Sequence, residues 1–206
     1  TLTLANNRNK LINMSNDLYE TENYLDGGWT EEPTSMVTQR TYIGDAIGSF
    51  YMLKSVGVVE SGPQKGLWLI EDPETGEAVP FESGMRNYDS RFRQYCGSAL
   101  PKLTMGWSNT LRFYGVDVTM SFSGQFGYKI FNCQRMFYEN LNIGLNRYKS
   151  ATQPVYGTTL AKSQQPVAVS YYLEDGDYIK LDNFTVGYTF NTKNVKYLDK
   201  ARVYLS

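Results

Sequence analysis

Leu103 opens the strongest periodic stretch of the chain, "LTMGWSNTLRFYGVDVTMSFSGQFGYKIFN" (103–132). Before Tyr114 the odd positions are apolar: Leu103, Met105, Trp107, Leu111 and Phe113. After Gly115 the even positions are apolar: Val116, Val118, Met120, Phe122, Phe126, Tyr128 and Ile130. Side chains alternate faces along a strand, so each run predicts a strand with one apolar face. The change of parity at Tyr114-Gly115 predicts a two-residue hairpin turn. That register sets Phe113 opposite Val116, Leu111 opposite Val118 and Trp107 opposite Phe122, all apolar and on one side. Thr104, Ser108, Thr110, Arg112, Asp117, Thr119, Ser121, Gln125 and Lys129 fall on the other side.

A second alternation closes "DGDYIKLDNFTVGYTF" (175–190). Phe184, Val186, Tyr188 and Phe190 share one face, with Thr185, Gly187 and Thr189 opposite. This half reads as a membrane-crossing strand and 175–182 as a polar strand end. The segment 41–56, with Tyr42, Phe50 and Tyr51, reads as a further strand, and 1–14 alternates at its start. Long irregular stretches separate these runs at 15–40, 57–101 and 131–174. Each exceeds the roughly 12–15 residues usual for a structureless loop in a compact domain. Long strands, long connections at one end and short turns at the other describe an outer-membrane β-barrel. The competing reading is a soluble, aromatic-rich β-sandwich that binds carbohydrate, with the same apolar face turned into a core.

Composition narrows the function. Tyr (17), Phe (10) and Gly (18) are abundant, which favours β structure. Net charge is −1, so there is no electrostatic footprint for nucleic acid. Histidine is absent, removing the commonest general base and metal ligand together. No nucleophile–base pair, phosphate loop or metal constellation stands out, so the reading is a non-enzyme without a cofactor. Asp175, Asp177 and Asp182 read as a solvated rim, since their spacing matches no calcium loop.

Several stretches resemble the SusC/RagA family of TonB-linked outer-membrane proteins, the nutrient importers of Bacteroidetes. "YLEDGDYIKLDNFTVGYTF" (172–190) and "IGDAIGSFYMLKSVGV" (43–58) are similar to two of its segments. "ANNRNKLINM" (5–14) resembles a strand end of the family. "LPKLTMGWSNTLRFYGVDVTMSFSGQFG" (100–127) carries its pattern at Pro101, Gly106, Gly115, Asp117, Gly124 and Gly127. Met52 departs from it, standing where the family usually has Gly. The resemblance implies an all-β fold, a transmembrane antiparallel barrel of about 22 strands. About six of those strands would lie here, too few to close a lumen. On this expectation residues 1–206 belong to the C-terminal barrel domain, without the plug domain and the final strands. The implied setting is the bacterial outer membrane. The implied partners are a SusD-like surface lipoprotein, TonB through an N-terminal part, and membrane lipid. The implied cargo is glycan or oligopeptide. A passive porin is the alternative transport reading.

Residue expectations follow. Trp107, Phe113, Val116, Phe122, Phe184, Val186, Tyr188 and Phe190 face lipid; Ser121, Thr185 and Thr189 face the lumen. Among loop aromatics, which include Trp29 and Tyr88, Trp68, Tyr171 and Tyr172 are candidates to contact substrate or partner, against a reading as local loop packing. The hairpin register, extended past Pro101, sets Cys96 opposite Cys133. A disulfide there is the expectation, with unpaired thiols if Pro101 ends the ladder.

Overall fold

The computed structural model describes residues 1–15, 23–30, 34–87, 89–144, 146–192, 197–198 and 200–206. In chain order the strands are β1 (Leu2–Asn6), β2 (Tyr24–Trp29), β3 (Val37–Tyr42), β4 (Ser49–Leu53), β5 (Ser55–Val58), β6 (Trp68–Glu71) and β7 (Ala78–Pro80). They continue with β8 (Arg93–Ser98), β9 (Leu103–Phe113), β10 (Val116–Phe126), β11 (Lys129–Phe131), β12 (Leu173–Asp175), β13 (Tyr178–Phe190) and β14 (Ala201–Leu205). One short helix, α1 (Cys133–Tyr138), follows β11. The chain divides into two compact units. The first comprises Thr1–Arg8, Pro101–Tyr128 and Gly176–Ser206; the second comprises Asn9–Leu100 and Lys129–Asp175.

The first unit is one antiparallel sheet in the order β1-β9-β10-β13-β14. Phe113 pairs with Val116, Leu111 with Val118 and Trp107 with Phe122, as the parity change requires. The turn between them has positive φ at both Tyr114 (46°) and Gly115 (84°). That is the mirror-image turn whose twist suits a right-twisted hairpin. A side chain on Gly115 would also meet the Thr189 carbonyl at 2.9 Å. Neighbouring strands extend the same face: Leu2 and Leu4 pair with Trp107 and Met105, while Val116, Val118 and Met120 pair with Tyr188, Val186 and Phe184. Leu205 and Val203 pair with Val186 and Tyr188. The Trp107 and Phe122 rings stack across the strands at 5.4 Å.

β13 holds a finding that simple alternation misses. Ser121 pairs with Asn183 but Phe122 pairs with Leu181, so Asp182 is the extra residue of a β-bulge. The bulge resets parity and brings Leu181 and Ile179, at odd positions, onto the same face as Phe184. The expected division at Asn183 therefore gives way to one continuous strand with one apolar side. Asp182 is held by Lys180, at 3.0 Å.

This sheet has no core of its own. Among the described residues, every fully buried apolar side chain belongs to the second unit. In the sheet Phe113 is 72% exposed, and Trp107, Val116, Phe184, Val186, Tyr188 and Phe190 are exposed as well. A sandwich would bury that face, so the sandwich reading is overturned. β9 and β10 have 11 residues each and β13 has 13. Transmembrane strands need about 9–11. Among the described residues no helix is long and apolar enough to cross a membrane.

The second unit corrects the expectation of irregular loops. It folds into a four-stranded sheet β2-β3-β4-β8, a three-stranded sheet β5-β6-β7 and a two-stranded ladder β11-β12. The segment 41–56 is likewise no wall strand: it holds the end of β3, a turn, β4 and the start of β5. Gly44 and Gly48, both at positive φ, break it. A core of Met36, Leu53, Val58, Trp68, Ile70, Phe81, Met136, Val167, Val169 and Tyr172 holds the unit together. Losing a buried ring of Trp68's size costs about 3–5 kcal/mol. The connection expected at 191–200 lies partly outside the described residues, as does Tyr88.

The bulge makes a sharp prediction. Deleting Asp182 leaves both faces of β13 intact and assembly near wild type. Deleting Thr185 throws residues on one side of the gap onto the wrong face and sharply lowers the folded fraction. Heat-modifiable migration of the intact protein on a denaturing gel reads both.

Candidate functional site

Two surfaces carry polar or aromatic organisation, one in each unit. On the sheet, the face opposite the apolar side bears Arg112, Asp117, Thr110, Thr119 and Arg202. The registers pair Asp117 with Arg112 on one side and Gly187 on the other. Arg202 comes from one strand further, beside Thr189. Its guanidinium reaches Asp117 with Nε donating to Oδ1 at 2.9 Å, and Nη2 donating to Oδ2. Gly187 makes that reach possible, since a Cβ there would lie 2.5 Å from Arg202 Nη2. The hydroxyls of Thr110 and Thr119 meet at 3.3 Å. With Lys200 and Thr189 these residues line a cleft of about 690 Å³ beside the Tyr114-Gly115 turn. It carries charge of both signs, with Arg112, Lys200 and Arg202 beside Asp117.

In the second unit Trp68 lies among three tyrosine rings. Tyr171 stands at 5.3 Å from it, Tyr172 at 6.0 Å and Tyr156 at 6.4 Å. Trp68 is 0% and Tyr172 1% exposed. Neither presents a ring to a ligand here; both pack the core, the bland alternative weighed above. Only Tyr171 of the three candidates keeps part of its surface in solvent. Its hydroxyl accepts from Arg135 Nη2 at 3.3 Å. Arg135 also donates to Glu139 (3.0 Å) and Glu174 (2.7 Å), tying α1 to β12. Asn132 caps α1 by accepting the Arg135 N–H at 3.0 Å. The Arg135 guanidinium and Asn132 amide hold the Glu174 carboxyl below its usual range.

Sequence reasoning missed a tyrosine ladder in this unit. Tyr24, Tyr42, Tyr51 and Tyr95 stand ring beside ring at 5.6, 6.0 and 5.3 Å across β2, β3, β4 and β8. Arg40 lies 3.8 Å over the Tyr24 ring and forks onto Asp26 at 2.6 and 2.8 Å. The hydrogen bond to Asp26 raises the Arg40 pKa further. Four tyrosines from four strands give no local pattern, because only the sheet registers align them.

The expected Cys96–Cys133 bridge is not formed; both cysteines are free. The ladder between β9 and β10 ends at Leu103 and Phe126, with Lys102 N–H still reaching the Phe126 carbonyl. Beyond Pro101, Cys96 lies in β8 as the extra residue between Tyr95 and Gly97, which pair with Tyr51 and Phe50 of β4, while Cys133 opens α1. The register therefore does not carry through, for the reason Pro101 suggested. The Cys96 thiol sits near the Met52 carbonyl, and burial pushes its pKa up to about 11. The three aspartates gather no metal: Asp175 pairs with Lys129 at 2.6 Å, Asp177 accepts the Gly127 N–H at 2.7 Å, and Asp182 serves the bulge. Among the described residues no cluster suited to a metal ion occurs.

A long-stranded antiparallel sheet with one exposed apolar face and one polar face is the pattern of a transmembrane barrel segment. Comparison with solved structures agrees. The chain aligns with the RagAB peptide importer in its "closed-closed" state at a TM-score of 0.70 and 20% identity, over 98% of this chain and 22% of that one. The "open-open" state gives 0.68 and 20%, over 98% and 21%. Among curated proteins, TonB-dependent receptor P3 of Formosa agariphila is 26% identical over 198 residues, which is 89% of this chain and 19% of the relative. No protein-family model matches. The chain is thus similar to a segment of TonB-dependent receptors, shares the barrel fold of the RagAB importer, and spans about a fifth of the length of the relatives it matches.

Two free thiols are expected by Ellman titration of the unreduced, denatured protein. In the folded protein at pH 8, Cys96 should alkylate about a hundredfold more slowly than an ordinary cysteine, because only the thiolate reacts and a raised pKa depletes it. Neither Cys96 nor Cys133 reacting after denaturation without reductant would restore the bridge.

Proposed function

We propose that the chain forms part of the C-terminal barrel wall of a TonB-dependent nutrient importer in the bacterial outer membrane. The observation that carries this reading is the one-sided apolar sheet: five strands whose dry face has no core to meet. Trp107, Phe113, Val116, Phe122, Phe184, Val186, Tyr188 and Phe190 face lipid. The row of Arg112, Asp117, Thr119, Thr185 and Arg202 faces the lumen. The cargo is a glycan or an oligopeptide; the peptide importer RagAB among the structural neighbours favours the latter. A SusD-like lipoprotein works at the outer surface, and TonB acts through a part of the polypeptide N-terminal to this segment.

Uptake should therefore require the proton-motive force. Cells expressing the intact protein should take up labelled oligopeptide, and an uncoupler should abolish that uptake. Uptake that persists under the uncoupler would instead mark a passive pore.

Placement in lipid has its own test. Phe184→Arg puts charge on the lipid face, at a cost of about 2–4 kcal/mol near the midplane. The folded amount in the outer membrane should fall steeply. Thr185→Arg, one residue away on the wet face, should leave assembly unchanged. Equal behaviour of the two variants would refute the assignment of faces.

A further inference from the structure

At the Tyr114-Gly115 end of the five-stranded sheet, the polar face concentrates charge. Arg112, Lys200 and Arg202 line the cleft there, and Asp117 is the one carboxylate among the described residues lining it. Further along the same face, Thr119 pairs with Thr110 and Thr185, and Ser121 pairs with Ser108 and Asn183. Those rows hold hydroxyls and an amide, and no charge. The cations therefore form a local cluster at one end of the face, and are not part of a generally charged surface.

Ion pairing within the cluster leaves it positive. Both carboxylate oxygens of Asp117 accept from Arg202, which reaches across Gly187. The Asp117 side chain is 16% exposed and that of Arg202 39%, so solvent in the cleft meets guanidinium more than carboxylate. Arg112 stands opposite Asp117 in the β9–β10 ladder. Among the described residues neither Arg112 nor Lys200 forms an ion pair. One carboxylate against three cations leaves a formal charge of +2 in a cleft of about 690 Å³. The hydroxyls of Thr110 and Thr119 border the same space as further donors.

We propose that this cleft binds the phosphate monoester of a solute. Guanidinium forks and an ammonium are the side chains that best hold phosphate oxygens, and the cleft presents both. A phosphate monoester brings roughly 1.5–2 negative charges at neutral pH and three strong acceptor oxygens. It therefore cancels the charge of the cluster and uses its donors together. A sulfate ester or a carboxylate carries a single charge and leaves one cation uncompensated. A neutral sugar or peptide gives the cations nothing to meet. The barrel-wall reading enters only in where the cleft opens, which is the lumen; binding itself does not depend on it.

Calorimetry on the intact protein in detergent at low salt tests it, with glucose 6-phosphate, glucose 6-sulfate and glucose as probes. Glucose 6-phosphate should bind, the sulfate ester about tenfold more weakly, and glucose without measurable heat. Arg112 and Lys200 are exposed, so Arg112→Gln combined with Lys200→Gln should leave heat-modifiable migration unchanged. That double variant should bind glucose 6-phosphate at least about tenfold more weakly. Asp117→Asn removes the negative charge from the cleft and should tighten binding about threefold. Several results would overturn the proposal: no glucose 6-phosphate binding to the wild type, equal binding of the sulfate ester or glucose, or unchanged affinity in the double variant. Weaker binding in a folded Asp117→Asn variant would overturn it too. Phosphate-ester binding by a protein without energised uptake would count against the importer reading alone and leave this site standing.

Discussion

An apolar sheet face without a core governs this structure. A β-strand must satisfy its backbone through neighbours, and its side chains must then suit whatever lies on either side. Here the five-stranded sheet meets the first demand through continuous ladders from β1 to β14. It meets the second by placing nearly all large apolar side chains on one side. Every irregularity in the sheet serves that separation. The Tyr114-Gly115 turn reverses the chain in two residues without slipping register. The Asp182 bulge absorbs one residue so that Ile179 and Leu181 stay with Phe184. Gly187 clears room for Arg202 to reach Asp117 on the wet side.

The second unit obeys ordinary globular rules. Its two long insertions, 9–100 and 129–175, bury Trp68, Met136 and Tyr172 around a shared core. Much of that core joins residues far apart in sequence, as when Gln164 meets Trp68 or Ser170 meets Ser55 at 3.0 Å. Such insertions tolerate variation in a way that long paired strands do not, because no fixed alternation constrains them. That freedom makes such insertions a natural place for recognition.

How much was readable in advance differs sharply between the units. The hairpin register from Leu103 to Phe126 follows from alternation alone, since its pairs are local and the turn is two residues long. Trp107 opposite Phe122 could be named from spacing. The Cys96–Cys133 pairing used the same arithmetic and failed, because Pro101 sends the chain out of the ladder. Trp68 and Tyr172 were singled out as loop aromatics, but spacing does not report burial, and both turned out to be core. The tyrosine ladder joins strands that no local window spans.

Periodicity by itself determined the strand faces and the tight turn. A period of two is a local property, set by successive Cβ directions, and so survives without knowledge of the fold. Tertiary structure alone decided that the long connections form a cored unit, that the cysteines stay apart, and that Asp182 is the bulge. Those outcomes depend on contacts between distant segments and on one-residue shifts in pairing. Alternating side chains record neither.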